Sequence, residues 1–114
     1  MAEPPIQFVK TNDGVTIAFW AAGAGEPLVW IEHVPLSHLE AEWQMPYFVE
    51  PHRAAMASRR VVRFDPRGCG LSERGRFDYS LKTQLIDLQA VVHHLGIDRF
   101  AIWGDGLGSR AAIA

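Results

Sequence analysis

The sequence contains very little cysteine and no long apolar run. Cys69 is the only cysteine among 114 residues, so the chain can form neither an internal disulfide nor a zinc site built from cysteines. No apolar run approaches membrane-spanning length, and residues 1–5 lack the basic and apolar regions of a signal peptide. We therefore expect a cytoplasmic protein that makes no contact with membranes.

The sequence also has no large excess of positive or negative charge. The chain has 11 Lys and Arg residues against 13 Asp and Glu residues, for a formal net charge of -2. Without a basic stripe it lacks the electrostatic footprint of proteins that bind nucleic acid. Apolar residues make up 48% of the sequence and charged residues 21%, as in ordinary globular domains. The composition implies no cofactor or metal and makes no prediction about the oligomeric state.

Five short apolar runs predict a β-sheet. They lie at residues 6–10, 15–20, 28–31, 61–64 and 100–103. The first two runs are separated by Asn12, Asp13 and Gly14, residue types that favour the tight turn of a hairpin. The third run is continuously apolar, which is typical of a strand that is covered on both faces.

Helical patterns alternate with the later strands. A polar loop from His33 to Glu40 is expected to lead into a helix that runs from after Pro46 roughly to Ser58. Ser80 is a candidate N-cap for a helix with apolar residues at spacings of three and four, and Gly96 is suited to its end. A further helix is expected from Leu107. This order predicts an α/β fold: a mostly parallel sheet with an N-terminal antiparallel hairpin and helices on both faces.

Two glycine-rich blocks follow the fourth and fifth predicted strands. Residues 63–72 contain Asp65, Arg67, Gly68, Gly70 and Ser72 in the pattern D-x-R-G-x-G-x-S. Residues 104–108 read Gly-Asp-Gly-Leu-Gly, the layout of a G-x-S-x-G nucleophile elbow with glycine in place of serine. In this order and spacing, the two blocks resemble the N-terminal part of the α/β-hydrolase superfamily, from its first strand to the helix after the elbow.

The resemblance implies hydrolysis of an ester, amide or similar bond in a small molecule. The superfamily orders its catalytic serine, acid and histidine along the chain, so the acid and histidine are expected beyond Ala114. Residues 111–114 show no helix stop signal, and we expect residues 1–114 to be the first part of one domain. His38, Leu39, Glu40 and Trp43 are similar to a branch of the superfamily that is found alone or joined to signalling domains.

The nucleophile position is occupied by Gly106, which has no side chain to attack a carbonyl. Some relatives use an aspartate nucleophile, but choosing Asp105 would shift the elbow and put Trp103 and Leu107 where small residues are needed. Asp105 is better interpreted as a cap of the following helix. Glycine also relieves the backbone strain of the elbow, which is about 1–3 kcal/mol for a serine.

Other candidate groups have structural interpretations. All five histidines precede the elbow, and none matches the catalytic histidine of the superfamily. His93 and His94 fall near a predicted helix end, where histidine is favourable. Cys69 is interpreted as a packed turn residue.

The oxyanion hole is also expected to be altered. The resemblance assigns one donor to the N–H of Leu107, beside Gly108, and the other to the loop after the third strand. That loop contains His33, Val34 and Pro35, and the simplest alignment places proline, which has no N–H, at the donor position. A shift of one residue would give the role to Val34 or Leu36.

Three functions remain open at this point. The first is an α/β-hydrolase-like protein that is inactive as a serine hydrolase in this form. The second is a non-catalytic module that binds a ligand or partner through the old pocket and that belongs to a signalling protein. The third is an enzyme that uses a downstream histidine and acid without a serine.

Overall fold

The computed structural model describes residues 4–34, 37–74 and 80–106, with the backbone alone at 32–34, 105 and 106. Its elements, in chain order, are β1 (Gln7–Lys10), β2 (Thr16–Ala22), β3 (Glu26–Val34), α1 (Leu39–Trp43), α2 (Pro46–Met56), β4 (Arg59–Phe64), α3 (Leu81–His94) and β5 (Ala101–Gly106). No helix in these ranges is long and apolar enough to cross a membrane.

The strands form one sheet in the order β1-β2-β4-β3-β5. Strands β1 and β2 form the predicted antiparallel hairpin, and β2 also runs antiparallel to β4. Strand β3 lies between β4 and β5 and is parallel to both. The predicted mostly parallel sheet with an N-terminal hairpin is therefore confirmed.

Alternation along the strands divides the core between the two faces of the sheet. One cluster lies beneath α3 and has its centre on Ile17, Phe19, Val29 and Val62, with Val91 from the helix. The other cluster lies beneath α1 and α2 and contains Ala18, Trp20, Leu39, Met56 and Val61. Both faces bury apolar side chains because successive residues of a strand point to opposite sides.

The helix expected after Ser80 is present with its predicted ends. The Ser80 hydroxyl accepts a hydrogen bond from the Thr83 N–H at 3.3 Å, as an N-cap does. Gly96 follows the helix with a φ of 68°, a conformation that glycine adopts without a Cβ clash. His93 and His94 are exposed at the helix end.

Two predicted boundaries were wrong. The stretch from His33 to Glu40 is not all loop, because β3 continues to Val34 and α1 begins at Leu39. The Nδ1 atom of His38 caps α1 by accepting from the Ala41 N–H at 3.0 Å, and histidine is an uncommon cap. The fifth strand, expected to end at Trp103, continues to Gly106 through its pairing with β3.

Candidate active site at the carboxyl edge of the sheet

The carboxyl ends of the parallel strands meet at one edge, where sheets of this type bind their ligands. Gly106, the last residue of β5, is paired with Val34, the last residue of β3. Gly104 is paired with Ile31, so β3 has one more residue than β5 between the two pairs. The fold thus places the expected nucleophile position beside the expected oxyanion loop.

The predicted site residues are only partly described. Gly104, Asp105 and Gly106 end β5, and His33 and Val34 end β3. Pro35, Leu107 and Gly108 lie outside the described residues, as does the expected helix from Leu107. The sharp bend of the elbow and the assignment of oxyanion donors therefore stay predictions.

Asp65, the first residue after β4, organises the turn of the other glycine-rich block. Its fully buried carboxylate accepts a hydrogen bond from the Ser37 hydroxyl at 2.7 Å. It also accepts from the backbone N–H groups of Leu39, at 3.1 Å, and Leu71, at 2.9 Å. Because Ser37 and Leu39 belong to the start of α1 and Leu71 belongs to the turn, Asp65 joins these two segments.

Ser72 and Gly70 complete this turn. The Ser72 hydroxyl donates to the Asp65 carbonyl and accepts from the Ala18 N–H at 2.8 Å, which ties the turn to β2. Gly70 has a φ of 47°, and a Cβ at this position would overlap the Asp65 carboxylate. The motif residues that the sequence singled out here therefore have a structural role.

Arg67 links the turn to two other elements. Its guanidinium donates to the Asp87 carboxylate of α3 at 2.8 and 3.0 Å and to the Asp13 carboxylate of the hairpin turn at 2.7 and 3.0 Å. Hydrogen bonds from Arg67 hold the pKa of Asp13 well below its ordinary value. The two carboxylates satisfy a charge that is almost fully buried.

A second buried charge was missed by the sequence interpretation. Arg63 of β4 is fully buried, and its Nη2 atom donates to Glu42 of α1 and, at 3.2 Å, to the Ser37 hydroxyl. Burial raises the pKa of Glu42 above its ordinary value. The available signal was a charged residue at an inward position of a strand, two residues after the buried Val61.

His52 and Cys69 are buried, and burial shifts the pKa values of both side chains. The His52 ring lies edge-on to the Trp20 and Trp30 rings, with centroid distances of 5.9 and 4.6 Å. Burial, together with the Arg63 charge, lowers the pKa of His52 to about 3, so the ring is neutral near pH 7. Burial raises the pKa of the Cys69 thiol to about 12, which confirms the interpretation of a packed turn cysteine.

The described residues supply scaffolding at this edge. The hydroxyls of Ser37 and Ser72 are buried in the Asp65 network, so neither is free to act as a nucleophile. Among the same residues, no group of three or more His, Cys, Asp or Glu side chains is arranged to hold a metal ion. Within the described residues, Ser37 and Ser72 thus serve the structure of the edge where Gly106 is paired with Val34.

The N-terminal hairpin, the parallel strands and the glycine-rich turn after β4 are features of the class of α/β-hydrolase folds. A family model of the alpha/beta hydrolase fold matches residues 30–113. The chain belongs to this family.

Curated relatives and solved structures agree with this assignment. The chain is 30% identical over 106 residues to the AB hydrolase superfamily protein YisY of Bacillus subtilis, covering 93% of this chain and 37% of that protein. It is 29% identical over 100 residues to a soluble epoxide hydrolase of Corynebacterium sp., covering 88% of this chain and 32% of the enzyme. The chain thus spans about a third of the length of these relatives.

Two solved structures show the same fold. The epoxide hydrolase CorEH matches with a TM-score of 0.79 and 28% identity, over 96% of this chain and 36% of that one. The bottromycin epimerase BotH, solved in complex with bottromycin A2, matches with a TM-score of 0.77 and 26% identity, over 95% and 42% of the two chains.

Proposed function

We propose that this chain is the N-terminal part of a cytoplasmic α/β-hydrolase-like protein that has lost serine-dependent activity. The ancestral reaction is hydrolysis of an ester, amide or similar bond in a small molecule. The acid and the histidine of such a site would follow Ala114, and the share of the relatives that the chain spans supports this division.

One observation carries the proposal. Gly106 lies at the carboxyl end of β5 and is paired with Val34, and the G-x-S-x-G pattern assigns the nucleophile to position 106. A glycine has no side-chain oxygen or sulfur atom to attack a carbonyl, and the buried hydroxyls of Ser37 and Ser72 serve the Asp65 turn. The strands and turn that support a hydrolase site are thus kept, whereas position 106 has no side-chain nucleophile.

A binding module is the second candidate. The solved epimerase, 26% identical to this chain, is described in complex with bottromycin A2 and not as a hydrolase. Its fold therefore supports a function other than hydrolysis. As a binding module, the protein would hold a small molecule or a partner at the edge beside Gly106 without cleaving it.

The test is to restore the hydroxyl in the full-length protein expressed from its complete reading frame. We expect Gly106→Ser to hydrolyse a chromogenic short-chain ester well above the wild-type background, because the serine would complete the elbow. Gly106→Ala is the matched control, since it adds the Cβ without the oxygen and should stay inactive.

The outcomes separate the candidates. Activity with serine but not alanine supports a decayed hydrolase. A folded Gly106→Ser protein that stays inactive contradicts it and favours the binding module, above all where no acid and histidine follow in the reading frame. Wild-type activity equal to that of the serine variant would overturn the loss of activity itself.

A further inference from the structure

Arg63 is an arginine at an inward position of a strand. It lies on the face of the sheet that is covered by α1 and α2, between the apolar side chains of Trp20 and Trp30 on the neighbouring strands. Its guanidinium reaches outward to the edge of the sheet, where it donates to Glu42 and Ser37. Its Nη1 atom donates to the carbonyls of Trp30, at 3.3 Å, and Phe64, at 3.1 Å.

The buried ion pair of Arg63 with Glu42 is an inefficient way to stabilise a core. Both charges lose their hydration, and an apolar pair of similar volume often stabilises a protein equally well. Arg63 also keeps a buried Nε donor that has no acceptor among the described residues. The specific consequence of the pair is its geometry, because the planar guanidinium fixes the direction of each partner.

The two side chains that Arg63 binds, those of Ser37 and Glu42, belong to the first turn of α1 or directly precede it. Glu42 also accepts from the His38 N–H at 2.8 Å, and Ser37 donates to Asp65 at 2.7 Å. These contacts attach the start of α1 to the carboxyl end of β4. Ser37 is only three residues beyond Val34, which is paired with Gly106.

We propose that Arg63 is a positioning residue, which sets the start of α1 against the edge where Val34 meets Gly106 by holding Glu42 and Ser37. The role as part of a functional site depends on the function proposed above, whereas the local geometry does not. A buried strand residue thereby fixes the position of a segment beside the edge where Val34 is paired with Gly106.

The first experiment replaces the pair by apolar residues in the full-length protein, as Arg63→Met with Glu42→Leu. We expect a thermal midpoint close to that of the wild type, because the buried charges are removed together. Amide hydrogen exchange in residues 37–45 should be faster by about tenfold, since a charged hydrogen-bond network is lost there. Exchange in α3, residues 81–94, should not change.

The matched control removes an ion pair on the surface of α2. Glu50 is exposed and lies 3.6 Å from Arg53, so Glu50→Gln, which leaves Arg53 over the Trp43 ring, should leave exchange in residues 37–45 unchanged. The proposal is overturned if amide exchange in residues 37–45 is accelerated equally in the control. It is also overturned if the folded double variant at Arg63 and Glu42 exchanges these amides at the wild-type rate. If that variant does not fold, Arg63→Lys provides the same test, because an ammonium lacks the planar fork.

A second readout connects the geometry to the site. In the Gly106→Ser background, we expect the double replacement to lower kcat about tenfold with little change in KM, because misplaced groups weaken the transition state more than substrate binding. An unchanged kcat contradicts a role in the site. If Gly106→Ser is itself inactive, the hydrolase proposal fails, and the exchange measurement still decides the positioning role.

Discussion

The two glycine-rich stretches of this molecule lie at the carboxyl ends of β4 and β5, the two strands on either side of β3, and they differ in their side-chain contacts. After β4, the side chains of Asp65 and Ser72 bind five backbone and hydroxyl groups from three segments of the chain: β2, the start of α1 and the turn itself. At the end of β5, Gly104 and Gly106 have no side chains, and their backbone is paired with β3. The stretch after β4 is held by side-chain hydrogen bonds, whereas the two glycines at the end of β5 contribute backbone hydrogen bonds.

The two stretches therefore contribute differently to the fold. Asp65 and Ser72 together join the start of α1 and β2 to the turn after β4. Gly106 takes no part in those contacts, and the function proposed above assigns it the nucleophile position. Under that proposal, a chain can keep the first turn and its fold while it loses its nucleophile.

The largest effect should come from Asp65→Ala. The substitution leaves the buried donors of Ser37, Leu39 and Leu71 without their acceptor, and each buried donor left unpaired costs about 1–3 kcal/mol. We expect a loss of about 4 kcal/mol or more in the free energy of unfolding, or failure to fold. Urea denaturation of the full-length protein measures it. A loss below about 1 kcal/mol would contradict the central role of this carboxylate.

Gly70→Ala should be next in size. At a φ of 47° the new Cβ overlaps the Asp65 carboxylate, so backbone strain and a clash add together, and we expect a loss of about 3 kcal/mol. Gly96→Ala is the matched control, because its φ of 68° is similar but nothing lies within 4 Å of the added Cβ. The control should lose only about 1–2 kcal/mol in the same denaturation experiment. Equal losses would mean that the clash with Asp65 is absent.

Gly106→Ser should cost about 1–3 kcal/mol if the chain bends sharply after β5, because the serine of such an elbow is held in a strained backbone conformation. Gly106→Ala should cost about the same, since the strain arises from the Cβ. Differential scanning calorimetry of the two variants against the wild type gives the comparison. No loss in either variant would show that no strained bend forms at this position.

Asp13→Asn should have the smallest effect, because the Asp13 side chain is 45% exposed and its ion pair with Arg67 is screened by solvent. We expect about 0.5 kcal/mol at pH 7. Since folding lowers the pKa of Asp13 from 3.8, this contribution is present above that pH and is lost as the pH falls below it. The gap between wild type and variant should therefore narrow steadily as the pH falls below 3.8, and a gap of the same size at pH 5 and pH 2 would contradict the assignment.

Local sequence signals were sufficient for much of the fold. The hairpin at Asn12–Gly14, the cap at Ser80 and the glycine at position 96 follow from turn and capping chemistry within a few residues, and the structure confirms each. The boundaries that failed depend on distant partners. β5 reaches Gly106 because β3 extends beside it, and α1 begins at Leu39 because Asp65, far along the chain, accepts from its backbone.

The candidate site was predictable in part for the same reason. The missing serine at position 106 is visible in the sequence alone, and its place at the edge follows from the strand order. Arg63 was overlooked because a single charged residue in an apolar strand does not reveal its partner. Its ion pair with Glu42 spans 21 residues of sequence, and that of Arg67 with Asp13 spans 54.

The order of strands and helices, the glycine-rich turn after β4 and the glycine at position 106 were determined by the sequence itself, because periodicity and turn chemistry act between near neighbours. Only the tertiary structure decided which polar groups are buried together: Asp65 with Ser37, Arg63 with Glu42 and Arg67 with Asp87. These pairs form only when the strands and helices have assembled, since the cost of burying each charge is offset by a partner that the chain brings from far away.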